Sequence, residues 1–483
     1  MRDHLVLIIN GARHQVSGRD GFLTLSDYLR RRQGLVGTKI VCSEGDCGAC
    51  TVLVGRRTGG DGRWTYCPVD ACIQLMFQLD GVHVVTVEGL RPGGELTAVQ
   101  QAMVECHGSQ CGFCTPGFVM AMAGAQELAA GETLDLDDWR QSLAGNLCRC
   151  TGYVPILDAA EQATAAGDGC LNEAYPAAEL EALLPSDEEP IELNWRDEFE
   201  QLHAACPATL AEALAWLAQH PGARIVAGAT DVGVRVNKTG RLPAEILDLN
   251  RVEELRGVRV ENGLLVAGAR ATWSDILAAC GDALPELARI LTHFGGPQIR
   301  HVGTIGGNLA NASPIADSLP LLCALDATLV LANAAGRREL NINDFYLGYK
   351  QLALDEGELI AEVRTPLPAP DQRLRLYKVS RRLDLDISTF TAALCLTIRD
   401  DAVAGAAIAL GGVGPVVLRA RRTEQFLVGR PWSEETMRAA GELAADETTP
   451  ITDVRGAADY RRQLARNVFL KYFHQTQQEL ASV

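Results

Sequence analysis

Ten of the chain's fifteen cysteines fall between Cys42 and Cys150, and five are spread over the rest of its 483 residues. The stretch CSEGDCGAC places Cys42, Cys47 and Cys50 in a C-x4-C-x2-C pattern, and Cys72 follows 22 residues after Cys50. This is the spacing with which thiolates take up a [2Fe–2S] cluster. Three ligands must converge from one loop, so the loop has to curl. Gly45 and Gly48 let the backbone come close and turn N–H groups toward sulfur. Structural zinc is the rival, although it usually pairs two short C-x2–4-C hooks. Cys67 is nearby but off the pattern; it reads as structural, with the capacity to replace Cys72.

A second set follows. SQCGFCTPGF supplies Cys111 and Cys114, and GNLCRCTGY supplies Cys148 and Cys150. Two hooks give four thiolates for one metal centre, and by spacing alone either zinc or iron–sulfur fits. Two features favour iron–sulfur. The hooks lead into expected helices at Pro116 and near Pro155, whose N-termini stabilise a thiolate-bound cluster's negative charge. A second cluster beside the first also makes an electron wire, which zinc cannot. Cys170, Cys206, Cys280, Cys323 and Cys395 sit mostly in apolar surroundings and read as buried small hydrophobes. With no secretory leader evident, metal ligation is preferred to a disulfide framework.

The elements that must position these thiols change character along the chain. Residues 1–88 read as β-rich. HLVLIINGARHQV is a strand, an Asn-Gly turn and a second strand. LTLSDYLRRRQG is a short helix capped by Ser26 and ended by Gly34, and TVLVGRR and VHVVTVEGL are strands. Residues 89–165 read as helical, with Thr115 as an N-cap and Pro116 at the first helical position. Residues 166–200, acidic and punctuated by proline, read as a linker. Helices and strands alternate over 201–370, and 371–483 reads as strands followed by helices.

Two glycine-bearing stretches lie beyond the linker. RIVAGATDVGV runs from a strand into a Gly/Thr loop, which suits either a pyrophosphate cradle or an ordinary strand–turn. FGGPQIRHVGTIGGNLANASPIADSLP is too polar for a simple core segment. With QCGFC and CRCTGY upstream, the chain resembles the iron–sulfur and FAD part of the xanthine oxidase family of molybdenum hydroxylases. The fold implied is a multidomain α+β chain: a plant-type ferredoxin-like β-grasp domain, a helical [2Fe–2S] bundle, a two-subdomain α+β FAD-binding domain and a C-terminal α+β domain. The resemblance implies that Gln110 faces the pterin of a molybdenum cofactor. It implies a first FAD loop made of Ile225, Val226, Ala227, Gly228, Ala229, Thr230 and Asp231. Thr304, Gly306, Gly307, Asn308 and Asp317 would bind the flavin nucleotide, and Phe294 would lie over the flavin ring on the nicotinamide side. From YKVSRRLDLDIS, Lys378 and Asp384 would border the flavin, with Arg381 and Arg382 solvated.

The balance of 44 basic and 61 acidic residues, a net charge of −17, argues against a nucleic-acid partner. The N-terminal apolar run is Leu5 to Ile9 only, short of a secretory or membrane segment, so a cytoplasmic protein without membrane association is expected. No segment is left over for a molybdopterin domain, so that cofactor is expected on a large partner subunit, in a heterotetramer of two small and two large subunits. The family implies that the partner oxidises a purine and that this chain carries the electrons to FAD and on to NAD. An aldehyde or another N-heterocycle as substrate, and oxygen as final acceptor, stay open. A zinc scaffold without redox chemistry is the competing class.

Overall fold

The computed structural model describes residues 1–57, 63–90, 94–166, 171–185 and 189–482; Cys170 lies outside the described residues. The chain divides into two units, Met1–Glu254 with Gly295–Gly303, and Leu255–Phe294 with Thr304–Val483.

The first unit begins with the expected hairpin. Strands Leu5–Ile9 and Ala12–Val16 pair antiparallel. Asn10 and Gly11 join them with φ of 49° and 80°, the double left-handed turn that matches strand twist. The five-stranded sheet runs in the order Ala12–Val16, Leu5–Ile9, His83–Val85, Thr51–Arg57, Trp64–Asp70. All of LVLII is buried because Leu5–Ile9 is an inner strand covered on both faces. Leu5, Leu7 and Ile9 pack with Phe22, Leu25 and Phe77, while Ile8 turns to Phe118, Met120 and Trp139 of the helical segment. That segment holds helices Ala98–Glu105, Thr115–Ala129, Leu136–Ser142 and Val154–Ala166. A second sheet, in the order Ile191–Arg196, Gln201–Cys206, Glu245–Asp248, Arg224–Val226, shares the Phe22 and Phe77 core through Leu193, Leu202 and Ile246.

Three local expectations need correction. The helix Leu25–Arg31 is capped by Thr24, whose hydroxyl accepts from the Asp27 N–H, and Ser26 lies inside it. The two hydroxyl residues are two positions apart, and the chain turns extended at Thr24. Helix Thr115–Ala129 includes Thr115, so its N-cap is Cys114. The segment 166–200 holds helices Leu171–Ala174 and Ala177–Leu183 and strand Ile191–Arg196. Leu171, Tyr175 and Leu180 are buried against the helical segment's core, so scattered apolar anchors order it without a clear period.

The second unit carries a five-stranded antiparallel sheet ordered Val258–Glu261, Leu264–Gly268, Leu359–Pro366, Thr328–Asn333, Gly336–Asn341. A four-stranded antiparallel sheet of Gln372–Val379, Phe390–Arg399, Ala402–Gly411 and Leu418–Arg419 follows. Helices Arg421–Leu427, Glu434–Glu447 and Ala458–Ser482 come next. Leu427, Met437, Phe469 and Tyr472 bury one face of that sheet. Cys206, Cys280, Cys323 and Cys395 are buried, in keeping with a packing role. No helix among the described residues is long and apolar enough to cross a membrane.

Candidate iron–sulfur and flavin sites

The first four thiols converge. Cys42 lies within hydrogen-bonding reach of Cys47 and Cys72, and Cys72 within reach of Cys50. Cys50 and Cys72 are buried, while Cys42 and Cys47 are partly exposed. Bonds from Cys47 and Cys72 hold the Cys42 thiol far below its usual range. Donating to Cys42 pushes Cys47 and Cys72 far above it. Four thiols in one pocket cannot all ionise without a cation, and a ferric cluster meets that requirement. The Glu44 N–H donates to Cys42 Sγ at 3.4 Å, the backbone-to-sulfur contact that tunes such a centre. Cys67 stands in strand Trp64–Asp70 opposite Val54, and the thiol brought to Cys42 and Cys50 is that of Cys72.

The second four are gathered as two close pairs, Cys114 with Cys148 and Cys111 with Cys150. Cys111 and Cys150 are exposed and the other two half-buried. Burial, then donation to Cys148, pushes the Cys114 thiol up to about 12. Burial would raise Cys148 as well, but hydrogen bonds led by Thr151 bring it below its ordinary value. The Thr151 hydroxyl donates to Cys148 Sγ at 3.2 Å. Gln110, beside Cys111, is exposed.

A direct backbone bond joins the two sets. The Leu147 N–H, next to Cys148, donates to the Cys47 carbonyl at 3.0 Å. Around it lies a buried network that sequence reasoning did not anticipate. Gln298 Nε2 donates to Asn146 Oδ1 at 2.8 Å and to Thr51 Oγ1 at 3.2 Å. Asn146 Nδ2 and Thr51 Oγ1 in turn donate to the Gly48 carbonyl at 3.0 and 2.7 Å. A Cβ on Gly48 would fall 2.4 Å from the Gly145 carbonyl, so only glycine allows this approach. Asn237 Nδ2, from helix Val232–Thr239, donates to the Ser43 and Cys72 carbonyls at 2.9 and 2.8 Å.

The flavin-assigned residues fall in both units. In the first, Ile225–Asp231 leads from strand Arg224–Val226 to helix Val232–Thr239. Gln78 Nε2 and Asn250 Nδ2 hold the Ala227 carbonyl at 2.6 and 2.7 Å. A Cβ on Gly228 would lie 1.8 Å from the Val302 carbonyl, so only glycine fits this turn. In the second unit, Thr304 caps helix Ile305–Asn311 by accepting from the Gly307 N–H at 3.1 Å. A Cβ on Gly306 would lie 2.6 Å from the Ala269 carbonyl oxygen. Asn308 Oδ1 accepts from Ser318 at 2.7 Å. Lys378 Nζ and the Ser388 hydroxyl both donate to Asp317 at 2.6 Å. Asp384 pairs with His293 Nδ1 at 2.8 Å. The ring of Phe294 stands edge-on to Trp273 at 5.0 Å.

A chain with these parts is an iron–sulfur flavoprotein. Residues 7–67 match the 2Fe-2S iron-sulfur cluster binding domain and residues 86–161 the [2Fe-2S] binding domain. Residues 198–368 match the FAD binding domain in molybdopterin dehydrogenase, and residues 375–476 the CO dehydrogenase flavoprotein C-terminal domain. The chain belongs to the xanthine oxidase family of molybdenum hydroxylases, as its iron–sulfur and FAD part. It is 32% identical to xanthine dehydrogenase of Drosophila pseudoobscura pseudoobscura over 97% of its own length and 39% of that protein's. It is 31% identical to aldehyde oxidase 1 of Bos taurus, over 99% and 39%. The chain thus spans about two fifths of the length of these curated relatives. Among solved structures it matches a chain of carbon monoxide dehydrogenase from Hydrogenophaga pseudoflava at 31% identity and a TM-score of 0.53, covering 57% of this chain and 96% of that one. A chain of quinoline 2-oxidoreductase from Pseudomonas putida 86 matches with the same figures. The first domain match ends at residue 67, five residues short of Cys72, whose place in the first set rests on its spacing and on its contacts with Cys42 and Cys50.

Proposed function

We propose that this chain is the electron-transfer subunit of a xanthine dehydrogenase. It would take electrons from a large molybdopterin-bearing partner that oxidises hypoxanthine and xanthine to urate, and deliver them to NAD. The observation that carries the reading is the pair of four-thiol sets joined through the Leu147 N–H and the Cys47 carbonyl. Its similarity, over nearly the whole chain, to xanthine dehydrogenases supports the substrate.

On this reading Cys42, Cys47, Cys50 and Cys72 hold one [2Fe–2S] cluster, and Cys111, Cys114, Cys148 and Cys150 hold the other. FAD contacts are assigned to Ile225–Asp231 and, separately, to Phe294, Thr304, Gly306, Gly307, Asn308, Asp317, Lys378 and Asp384. When bound, the clusters supply one-electron carriers and the flavin a junction between one- and two-electron chemistry. The chain's own contribution is fixed geometry. Gln298, Asn146 and Thr51 hold the Gly48 carbonyl, so the two cysteine loops keep one separation. The exposed Gln110, Cys111 and Cys150 suit the second set to face the partner, in a complex of two small and two large subunits within the cytoplasm. The functional domains would be 1–88, 89–165, 201–370 and 371–483.

The test is co-purification with the partner, followed by NADH formation at 340 nm on adding xanthine. Turnover of xanthine with oxygen but not NAD would overturn the acceptor. The match to aldehyde oxidase 1 at nearly equal identity favours a second reading, the same subunit role with an aldehyde as substrate. Turnover of aldehydes without xanthine would select it.

A further inference from the structure

We propose a divalent-metal site, of the class that suits zinc, made by His203, His220 and Glu245 with Glu192 as fourth donor. It lies on the first unit's second sheet and uses none of the cysteines.

Strand pairing creates it. His203 stands directly opposite Glu245 across a parallel pair. Glu192, on the antiparallel neighbour, is paired with Ala205, two residues beyond His203 and therefore on the same face. His220 arrives from outside the sheet as the C-cap of helix Leu210–Gln219. Its ring stacks on Trp216 at 4.1 Å and 14° and stands edge-on to His203 at 5.4 Å. Trp216 thus forms an apolar wall that fixes both imidazoles.

One ligating atom from each of His203, His220 and Glu245 lies within 4.8 Å of the other two. His220 Nδ1 is 2.9 Å from Glu245 Oε1, and His203 Nε2 is 3.5 Å from Glu192 Oε2. Ligand atoms around tetrahedral zinc at ~2.1 Å sit ~3.4 Å apart, so small side-chain rotations bring His203, His220 and Glu245 to that spacing, with Glu192 approaching through its contact with His203. An ordinary His–Glu ion pair accounts for His220 and Glu245. His203 Nε2, in ion-pair range of Glu192 at 3.5 Å, is buried and makes no hydrogen bond. A buried imidazole nitrogen without a hydrogen bond costs free energy, and a metal shared with His220, Glu245 and Glu192 would satisfy it.

The donor set names the ion class. Two imidazoles and two carboxylates are mixed N/O donors, which suit zinc over calcium or magnesium. The two carboxylates neutralise a divalent charge. Glu245 and His220 keep part of their side chains in solvent, 45% and 26%, which gives the ion a way in. Four protein donors make a closed, structural site that ties the end of the helix to the sheet.

The test uses the complete chain loaded with iron and flavin, so that the cysteines are occupied, and zinc chloride as the probe. Expected are one saturable zinc per chain and a zinc absorption-edge spectrum with nitrogen and oxygen neighbours at ~2.0 Å and no sulfur at ~2.3 Å. His203→Gln and His220→Gln should each weaken binding at least tenfold, and His474→Gln, remote in sequence, should not. The absence of saturable zinc, a sulfur shell, or unchanged affinity in both variants overturns the proposal. The spectrum of the unaltered protein decides the matter even where a variant fails to fold.

Discussion

Gln298→Glu keeps the length of the side chain and inverts its chemistry. Gln298 is fully buried, at 0% exposure, and its Nε2 donates to Asn146 Oδ1 and Thr51 Oγ1. Both partners' own donors are committed to the Gly48 carbonyl, so neither can turn to meet a carboxylate. An ionised glutamate would face two oxygens and lose two bonds worth about 1 kcal/mol each. The folded chain therefore takes the acid protonated, and its O–H recovers one bond. Holding it neutral at pH 7.5 against an ordinary value of about 4.3 costs about 4 kcal/mol, at about 1.4 kcal/mol per pH unit. The total is about 5 kcal/mol at pH 7.5 and about 2.5 kcal/mol at pH 5.5. The sign follows from proton counting. The folded form binds the proton and the unfolded form does not, so the deficit grows as pH rises above about 4.3. At about 2–4 °C per kcal/mol, the unfolding midpoint, read by visible circular dichroism of the iron-loaded protein against wild type, should fall about 5–10 °C further at pH 7.5 than at pH 5.5. Gln298→Ala loses the bonds without the carboxyl, so its deficit should be the same at both pH values. A Gln298→Glu deficit under about 1 kcal/mol at pH 7.5, or one independent of pH, would refute the role given to this network.

Other outcomes follow from the same geometry. His83 is buried, and burial lowers its pKa to about 4. Its Nε2 accepts from the Gly11 N–H and its ring contacts the Tyr66 hydroxyl through Nδ1, so the neutral ring is the folded form. Stability should be full above about 6.5 and fall by about 1.4 kcal/mol per unit as pH drops toward 4. Comparing melts of wild type and His83→Gln from pH 4 to 7 checks whether the variant loses that slope. A Cβ on Gly117 would meet the Gly48 carbonyl at 2.2 Å and Ala49 Cα at 3.0 Å. Gly117→Ala must therefore shift backbone, at an expected cost of about 1–3 kcal/mol by thermal unfolding. Cys72→Ser should cost about half the bound iron by metal analysis, since each set is assigned one [2Fe–2S] cluster. Cys67→Ser should leave the iron content unchanged.

What could be read from the sequence was what is written locally. The Asn-Gly hairpin, the short helix over LTLSDYLRRRQG and the hooks that each bring two or three thiols together all depend on short spacings. Ser26 failed as a cap because the hydroxyl that caps is chosen by where the backbone turns, and two candidates lay within two residues. The segment 166–200 looked unstructured because Leu171, Tyr175 and Leu180 meet partners far along the chain, as when the Tyr175 hydroxyl donates to the Gly89 carbonyl at 2.6 Å. The Gln298–Asn146 bond spans 152 residues, and Asn237 reaches Ser43 across 194. No periodicity or motif foreshadows such pairs. His203, His220 and Glu245 share the difficulty, because only strand register brings them together.

One chain is proposed to carry two distinct [2Fe–2S] clusters together with a flavin. Electron paramagnetic resonance of the dithionite-reduced chain, with iron counted in the same sample, tests it directly. Two separate rhombic or axial signals of about one spin each, and about four irons per chain, are expected. A single signal, or zinc in place of iron at the second cysteine set, would contradict that proposal.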